Sequence, residues 1–507
     1  MIRTRPRRPR RTPLGELAGR LSVALDPAAG AVEVTGITVD SRAVEPGDLY
    51  VAAPGATTHG ARFATAAAAS GAVALLTDEE GARVAAETGV ELPTLLVERP
   101  RGVLGAASAH VYGDPARALR LVGVTGTQGK TTTTRLAEAA LAAAGDKAAV
   151  VGTVGTRIAG QDVASSLTTP EAPALHALFA VMVEEGVSGC AMEVSSHALV
   201  MGRVDGVVFD VAAFTNLGRD HLDFHADIED YFAAKAQLFT PQRSRLGLVN
   251  LDDAYGRRLL EDPAIPMRTF SRDPSASADW WADRVEPTPT GSRFVLHGPG
   301  VELPTEVPLP GDFNVANAVC AVAVLAEAGY DAAAVAAAMG RGGGVPGRME
   351  PVDVGQEFTA VVDYAHKPDA VEAVLGSVRR STRGRLIIVI GAGGDRDRGK
   401  RPVMGEIAAR LADVVVVTDD NPRTEDPAAI RRELLAGARQ GDAEVHEEGD
   451  RAAAIRLAVG LARPGDCLVV AGKGHETGQE VAGVVHPFDD RGSLRAALQD
   501  VVREGAS

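Results

Sequence analysis

Short apolar runs recur along the chain, bounded by glycine, proline and acidic residues, with stretches of helical periodicity between them. Residues 15–118 begin the pattern. Runs 32–39 and 73–77 predict strands, and the alanine-rich stretch 63–70 predicts a helix. A strand over 119–124 then leads into a glycine-rich turn and a helix over 131–144, stopped by Gly145. Further strands are expected at 148–151, 187–192, 207–214 and 246–250. Apolar runs of this kind alternating with helices predict a mostly parallel sheet covered on both faces. Helices 313–327 and 332–339 close the region. The run Gly342-Gly343-Gly344-Val345-Pro346-Gly347 reads as a linker. Beyond it the alternation restarts, with strands expected at 358–363, 386–391, 414–418 and 467–471 and a helix at 369–380, as in a second doubly wound domain. The fold class is therefore α/β, in four segments: a basic tail 1–14, a smaller α/β domain 15–118, a central domain 119–346 and a C-terminal domain 347–507.

Composition narrows the function. The 507 residues carry 45% apolar and 23% charged side chains, as in a soluble globular protein. The net charge of −15 disfavours nucleic acid as a partner. Arg3, Arg5, Arg7, Arg8, Arg10 and Arg11 crowd the first eleven residues and predict a solvated, disordered extension. Glu16 and Arg20 interrupt the apolar stretch a signal peptide would need. No apolar run is long enough to span a bilayer. Cys190, Cys320 and Cys467 are isolated and fit buried thiols of a reducing cytoplasm.

The chemistry is clearest at Gly126-Thr127-Gln128-Gly129-Lys130-Thr131-Thr132. A glycine-rich turn at a helix N-terminus offers backbone N–H groups to a phosphate, Lys130 offers a cation and Thr131 a hydroxyl for Mg²⁺. The spacing is not that of the usual nucleotide loop, since Val124 stands where its first glycine would be. Two more segments follow expected strands, where open α/β sheets place their sites: Glu193 to His197, and Thr215 to Asp223. Glu193 and His221 could ligate Mg²⁺ or serve structure, and Lys235 alone reads as a surface lysine.

Several spaced motifs together resemble the Mur ligases of peptidoglycan synthesis, and within them the branch that makes the UDP-N-acetylmuramoyl-tripeptide. They are Asp40-Ser41-Arg42, the phosphate loop, Leu167-Thr168-Thr169-Pro170, Glu193–His197, Thr215–Asp223 with Lys235, Asn314-Val315-Ala316-Asn317, Gly347-Arg348-Met349-Glu350, Asp363-Tyr364-Ala365-His366 and Gly472-Lys473-Gly474-His475-Glu476. The resemblance implies a three-domain, ATP-dependent amide ligase that is cytoplasmic and monomeric. Its carboxylate substrate passes through an acyl phosphate before an amine attacks. It implies catalytic roles for Lys130, Lys235, His221 and Glu193. One Mg²⁺ would sit on Thr131 and Glu193, and a second on His221 and a carbamylated Lys235. It assigns ATP contacts to Asn314, Arg348, Asp363 and His366 besides the loop, and the UDP-muramoyl substrate to Ser41, Thr168, Thr169, Ser195 and Arg203. Gln128, where the family often has Asn, and His59, where an acidic residue is common, depart from the pattern.

Asp420-Asn421-Pro422-Arg423 resembles the family's motif for meso-diaminopimelate. That amino acid is a lysine with a further carboxylate at its far end, and a guanidinium grips a carboxylate with two hydrogen bonds. Arg423, helped by Arg396 and Asn421, is the expected grip, with Gly472 and Glu476 for the distal ammonium. Read without the family, Asn421-Pro422 is a turn and Arg423 a surface charge. Gly391-Ala392-Gly393-Gly394 resembles a dinucleotide loop but lacks its third glycine. The alternatives are a related ligase with another acceptor, such as a folate polyglutamylating enzyme, and a nucleotide-binding protein without turnover.

Overall fold

The computed structural model describes residues 3–55, 57–163, 167–221, 224–288 and 291–505. The chain forms two compact units. The first comprises Met1–Phe270 with Val322–Val335, the second Ser271–Ala321 with Ala336–Ser507.

The first unit opens with a four-stranded parallel sheet of β1 (Gly36–Thr38), β2 (Asp48–Ala52), β3 (Ala74–Thr77) and β4 (Thr94–Leu96), in that order. The strand expected over 32–39 is two pieces. Glu33–Val34 pairs with Thr12–Pro13, whereas Gly36–Thr38 joins the sheet. Between them the Thr35 amide donates to Gly47 O at 2.9 Å, and a Cβ at position 36 would lie 2.2 Å from the Asp48 carboxylate. The chain therefore changes sheets at a glycine.

The basic tail also differs from expectation. Arg5 Nη1 donates to both Asp48 oxygens, at 2.7 and 2.9 Å. The amides of Arg7 and Arg8 donate to the Glu184 carboxylate at 2.8 Å each. Arg10 pairs with Glu16 and Arg11 with Glu33. The physical reason is the Asp48 carboxylate. It is 1% exposed, and a buried carboxylate needs a counter-charge.

The rest of the first unit is a second sheet. Its strands are β5 (Arg120–Thr125), β6 (Ala148–Val151), β7 (Thr156–Ile158), β8 (Gln161–Val163), β9 (Gly189–Glu193), β10 (Phe209–Phe214), β11 (Ser244–Asn250) and β12 (Met267–Ser271). They stand in the order β8-β7-β6-β9-β5-β10-β11-β12. All neighbours from β6 to β12 in that order are parallel, and β7 and β8 add an antiparallel edge. Between the strands run α1 (Lys130–Ala144), α2 (Ser196–Val200) and α3 (Ile228–Ala236). Gly145, at φ +103°, ends α1 in the left-handed turn that glycine makes without strain. Leu121, Val151, Phe179, Met192, Phe214 and Leu238 pack into the core.

Helices Asp312–Glu327 and Ala332–Met339 form where the sequence places them, and residues 342–347 carry neither helix nor strand beyond one isolated bridge at Val345. The second unit starts with an antiparallel meander, β13 (Trp280–Thr288), β14 (Gly291–Gly298) and β15 (Val301–Val307). The apolar pattern gave no sign of it, because Asp283, Arg284 and Glu286 interrupt the first strand. The main sheet holds β16 (Glu350–Pro351), β17 (Thr359–Asp363), β18 (Leu386–Ile390), β19 (Val414–Val417), β20 (Glu444–Glu447) and β21 (Cys467–Ala471), ordered β16-β17-β21-β18-β19-β20 and parallel except at β16. Val415 and Val417 enter one apolar cluster, Val414 and Val416 another. Both faces are thus covered, which is why these strands read as unbroken apolar runs. A hairpin of β22 (Gly478–Val481) and β23 (Val484–Pro487) follows. The cysteines are free and buried, as expected.

Candidate active site

The phosphate loop joins β5 to α1. Gly126 has φ +145°, and a Cβ there would lie 1.9 Å from Thr215 Oγ1, so only glycine fits. The loop is pinned from behind by the end of β10. Thr127 N donates to Asn216 O and Gln128 N to Asn216 Oδ1, both at 2.9 Å, and Thr215 Oγ1 donates to Gln128 O at 2.6 Å. With those two amides engaged, an anion at this loop is left to the N-terminus of α1, which starts at Lys130. Lys130 Nζ curls back onto Gly126 O (2.8 Å) and Thr127 O (3.0 Å).

Lys235 is no surface lysine. It is 1% exposed on α3, its Nζ donates to Gly126 O at 2.8 Å, and it lies 4.4 Å from the centre of the Tyr231 ring. Burial pushes the Tyr231 phenol well above its ordinary range. His221 has a left-handed backbone, φ +52°, and its ring meets His197 edge-on at 4.8 Å. Leu222 and Asp223 of the same motif lie outside the described residues.

Glu193, at the end of β9, is 1% exposed. Its Oε1 accepts from Thr153 N at 2.8 Å and its Oε2 from Thr153 Oγ1 at 3.1 Å. The carboxylate can only accept, so the Thr153 proton points at Glu193. Thr168 Oγ1, 3.0 Å from Thr153 Oγ1, must then donate. Thr169 Oγ1 donates to Glu193 O (2.9 Å) and accepts from Ser195 N (3.3 Å). Arg203 donates to Glu171 (2.9 Å) and Thr169 O (3.3 Å). The fold thus gathers Thr168, Thr169, Ser195 and Arg203 around Glu193. Ser41 lies elsewhere in the unit, after the Asp40 cap and beside Tyr50. The sequence reading missed Thr153, although its place two residues past β6 is a strand-end signal. His59 accepts from Ala61 N on Nδ1 at 3.0 Å, so its proton sits on Nε2, which faces Asp78 at 3.0 Å; Ala56 nearby is outside the described residues.

The hydroxyl of Thr131 (4% exposed) and the carboxylate of Glu193 are hard oxygen donors that suit Mg²⁺. Lys235 as an ammonium does not suit a cation, and fits only once its nitrogen carries a carboxylate. Among the described residues no three His, Cys, Asp or Glu side chains cluster as a metal site.

The second unit holds the other expected residues. Asn314 is buried, its amide spent on Pro310 O (2.8 Å) and on Asn317 (3.0 Å). Asp363 ends β17 and accepts from the amides of Met349 (2.7 Å) and Ala365 (2.8 Å); burial raises its carboxyl, against the opposing charge of Arg348. Arg348 lies 4.7 Å from the Tyr364 ring. Burial, with Lys367 and Lys400 beside it, lowers the His366 imidazole to about 3. His366 Nδ1 donates to Tyr364 O at 2.7 Å.

The ends of β19 and β21 form the second cluster. Asn421 Nδ2 donates to Glu476 Oε2 at 2.9 Å. Arg423 takes φ +54°, its Nη1 donates to Gly394 O at 2.6 Å, and its Nε lies 3.4 Å from Glu480 Oε2. Gly472 has φ +120°, and a Cβ there would be 2.6 Å from Asp420 Oδ2. Pro422 is buried and Arg396 exposed on the neighbouring turn. Neither the turn nor the surface-charge reading of 421–423 accounts for these side-chain bonds.

Three family descriptions match the chain: "Mur ligase family, catalytic domain" over 33–112, "Mur ligase middle domain" over 124–325 and "Mur ligase, glutamate ligase domain" over 347–474. A relative from Streptomyces avermitilis, named UDP-N-acetylmuramoyl-L-alanyl-D-glutamate–2,6-diaminopimelate ligase, is 56% identical over 98% of both chains. One of the same name from Corynebacterium glutamicum is 51% identical over 93% of both. A solved structure described by that name is 34% identical, with a TM-score of 0.69 over 96% of this chain and 99% of the other.

Proposed function

This chain belongs to the Mur ligase family, and from that premise we propose that it is the ATP-dependent ligase that joins meso-diaminopimelate to UDP-N-acetylmuramoyl-L-alanyl-D-glutamate. The observation that carries the amino-acid assignment is the join between the two loops of the second unit, where Asn421 of one is bonded to Glu476 of the other beside Arg423. An ammonium and a carboxylate on one carbon need an acidic and a basic partner close together, and these loops supply both.

The chemistry follows from the groups. A carboxylate is a poor acceptor for an amine because its leaving group would be oxide. The glutamyl side-chain carboxylate therefore attacks the γ-phosphorus of ATP, the bond to ADP breaks, and an acyl phosphate forms. The amine of diaminopimelate attacks the acyl carbon, loses a proton, and phosphate leaves. Lys130 steadies the γ-phosphate, together with Gly126, Thr127, Gln128, Gly129, Thr131 and Thr132. Asn314, Arg348, Asp363 and His366 complete the nucleotide contacts. Ser41, Thr168, Thr169, Ser195 and Arg203 hold the UDP-muramoyl substrate. Thr131 and Glu193 would hold one Mg²⁺, and His221 and a carbamate on Lys235 a second. Bound magnesium would offset the negative charge of the phosphates.

We assign residues 15–118 to the uridine nucleotide, 119–346 to ATP and 347–507 to the amino acid, in a monomer acting in the cytoplasm as part of peptidoglycan precursor synthesis. No described helix is long and apolar enough to cross a membrane.

The test is phosphate release from ATP with a panel of acceptors and amino acids. Release should require both the UDP-muramoyl-dipeptide and diaminopimelate. Equal or faster release with L-lysine would overturn the amino-acid assignment.

A further inference from the structure

Lys473 follows β21 and is 0% exposed, yet no step of the reaction uses it. Its Nζ donates to Asn421 Oδ1 at 2.8 Å, with Glu476 Oε2 at 3.4 Å and Asp420 Oδ1 at 3.5 Å. An ammonium so deep is tolerated only with partners of opposite charge.

Two consequences follow. The first is orientation. Asn421 Oδ1 receives both Lys473 Nζ and the Glu480 amide, the latter at 3.0 Å. Both are donors, so the amide is fixed with oxygen inward, and its Nδ2 has to face Glu476. The second is charge. Burial favours a neutral Asp420, but Arg451 and Lys473 hold its carboxyl below the ordinary range. Arg451 is balanced by its own buried partner, Asp490, at 2.7 Å. Lys473 is thus the cation paired with both Asp420 and Glu476.

We propose that Lys473 is a positioning residue of the amino-acid pocket: its buried ammonium fixes the Asn421 amide with its oxygen inward and bridges Asp420 and Glu476, so that the Asn421–Glu476 pair is held in place for the incoming amino acid. This rests on the reading above that Asn421 and Glu476 face that amino acid.

The test is steady-state kinetics of the full-length protein and Lys473→Met, with the amino acid the unaltered protein uses fastest. KM for the amino acid should rise about tenfold or more, while KM for ATP stays within about twofold. The double variant Lys473→Met/Glu476→Gln should lose less than the product of the two single losses, because the residues act as one unit. Parallel rises in both KM values, or losses that multiply independently, would overturn the proposal. If Lys473→Met does not fold, Lys473→Gln replaces it with the same expected results. If the fastest substrate is lysine, the diaminopimelate assignment fails while Lys473 is still tested on lysine's ammonium.

Discussion

Lys130 and Lys235 donate to the same atom, the carbonyl oxygen of Gly126, each at 2.8 Å. Two ammoniums on one carbonyl repel each other, and the Tyr231 ring lies 4.4 Å from Lys235, where a ring attracts a cation. A carboxylate added to Lys235 would replace one of these cations by an anion.

Carbamylation of Lys235 is the first prediction. Carbon-13 NMR of the folded protein in labelled bicarbonate should show a carbamate carbon signal that Lys235→Ala lacks, in the absence of any substrate. Lys235→Ala should lower kcat by about 10²–10³-fold, and formate or acetate should restore part of it. An unmodified Lys235 in fully active protein would remove the carbamate from the mechanism.

Thr153 gives the second prediction. It braces both oxygens of Glu193, by amide and hydroxyl. Thr153→Val keeps the shape and loses the hydroxyl donor, which for a charged acceptor is about 1.5–3 kcal/mol. The Mg²⁺ concentration needed for half-maximal rate should rise about tenfold, and Thr153→Ser should bring it back. An unchanged Mg²⁺ requirement would leave Thr153 without a part in the metal site.

The third prediction concerns pH. His366 is lowered to about 3 from an ordinary 6.5, chiefly by burial. Between those values the unfolded chain binds a proton at this residue and the folded chain does not. Stability should therefore be lost as pH falls from about 6.5 towards 3, by at most ~1.4 kcal/mol per pH unit from this one group. Thermal midpoints of the wild type and His366→Gln should converge or cross in that window as pH falls. A constant difference between them would refute the shift.

The parallel strands were legible because each is an unbroken apolar run, and the loop Gly126–Gly129 because its glycines stand between an apolar strand and a helix. The meander over Trp280–Val307 was not, since Asp283, Arg284 and Glu286 break the apolar run of its first strand. The tail was misread for a different reason. Local composition showed the arginines, but their partners Asp48 and Glu184 are distant in sequence. Lys235 was misjudged alone, because burial depends on the whole fold. Thr153 and Lys473 were missed because each meets the site only by bonding a neighbour, Glu193 or Asn421, and pattern does not show second partners.

The last prediction is Arg423→Lys. The backbone of Arg423 is stitched to the hairpin strand β22 and the turn after it, its amide donating to Glu480 O at 3.0 Å and its carbonyl accepting from Ala482 N at 2.7 Å. The position of the side chain is thus set, and its fork spans Gly394 O through Nη1 and Glu480 through Nε. An ammonium is a single point and cannot hold those partners while also meeting a ligand carboxylate side-on. KM for diaminopimelate should rise about 10- to 100-fold, with KM for ATP nearly unchanged. Because a left-handed backbone strains lysine no more than arginine, a loss of stability would point to the Gly394 and Glu480 bonds instead of the ligand. Equal losses for diaminopimelate and ATP would refute the assignment. The selectivity ratio of diaminopimelate over L-lysine should also fall, since lysine lacks the second carboxylate that Arg423 would grip under the proposed assignment.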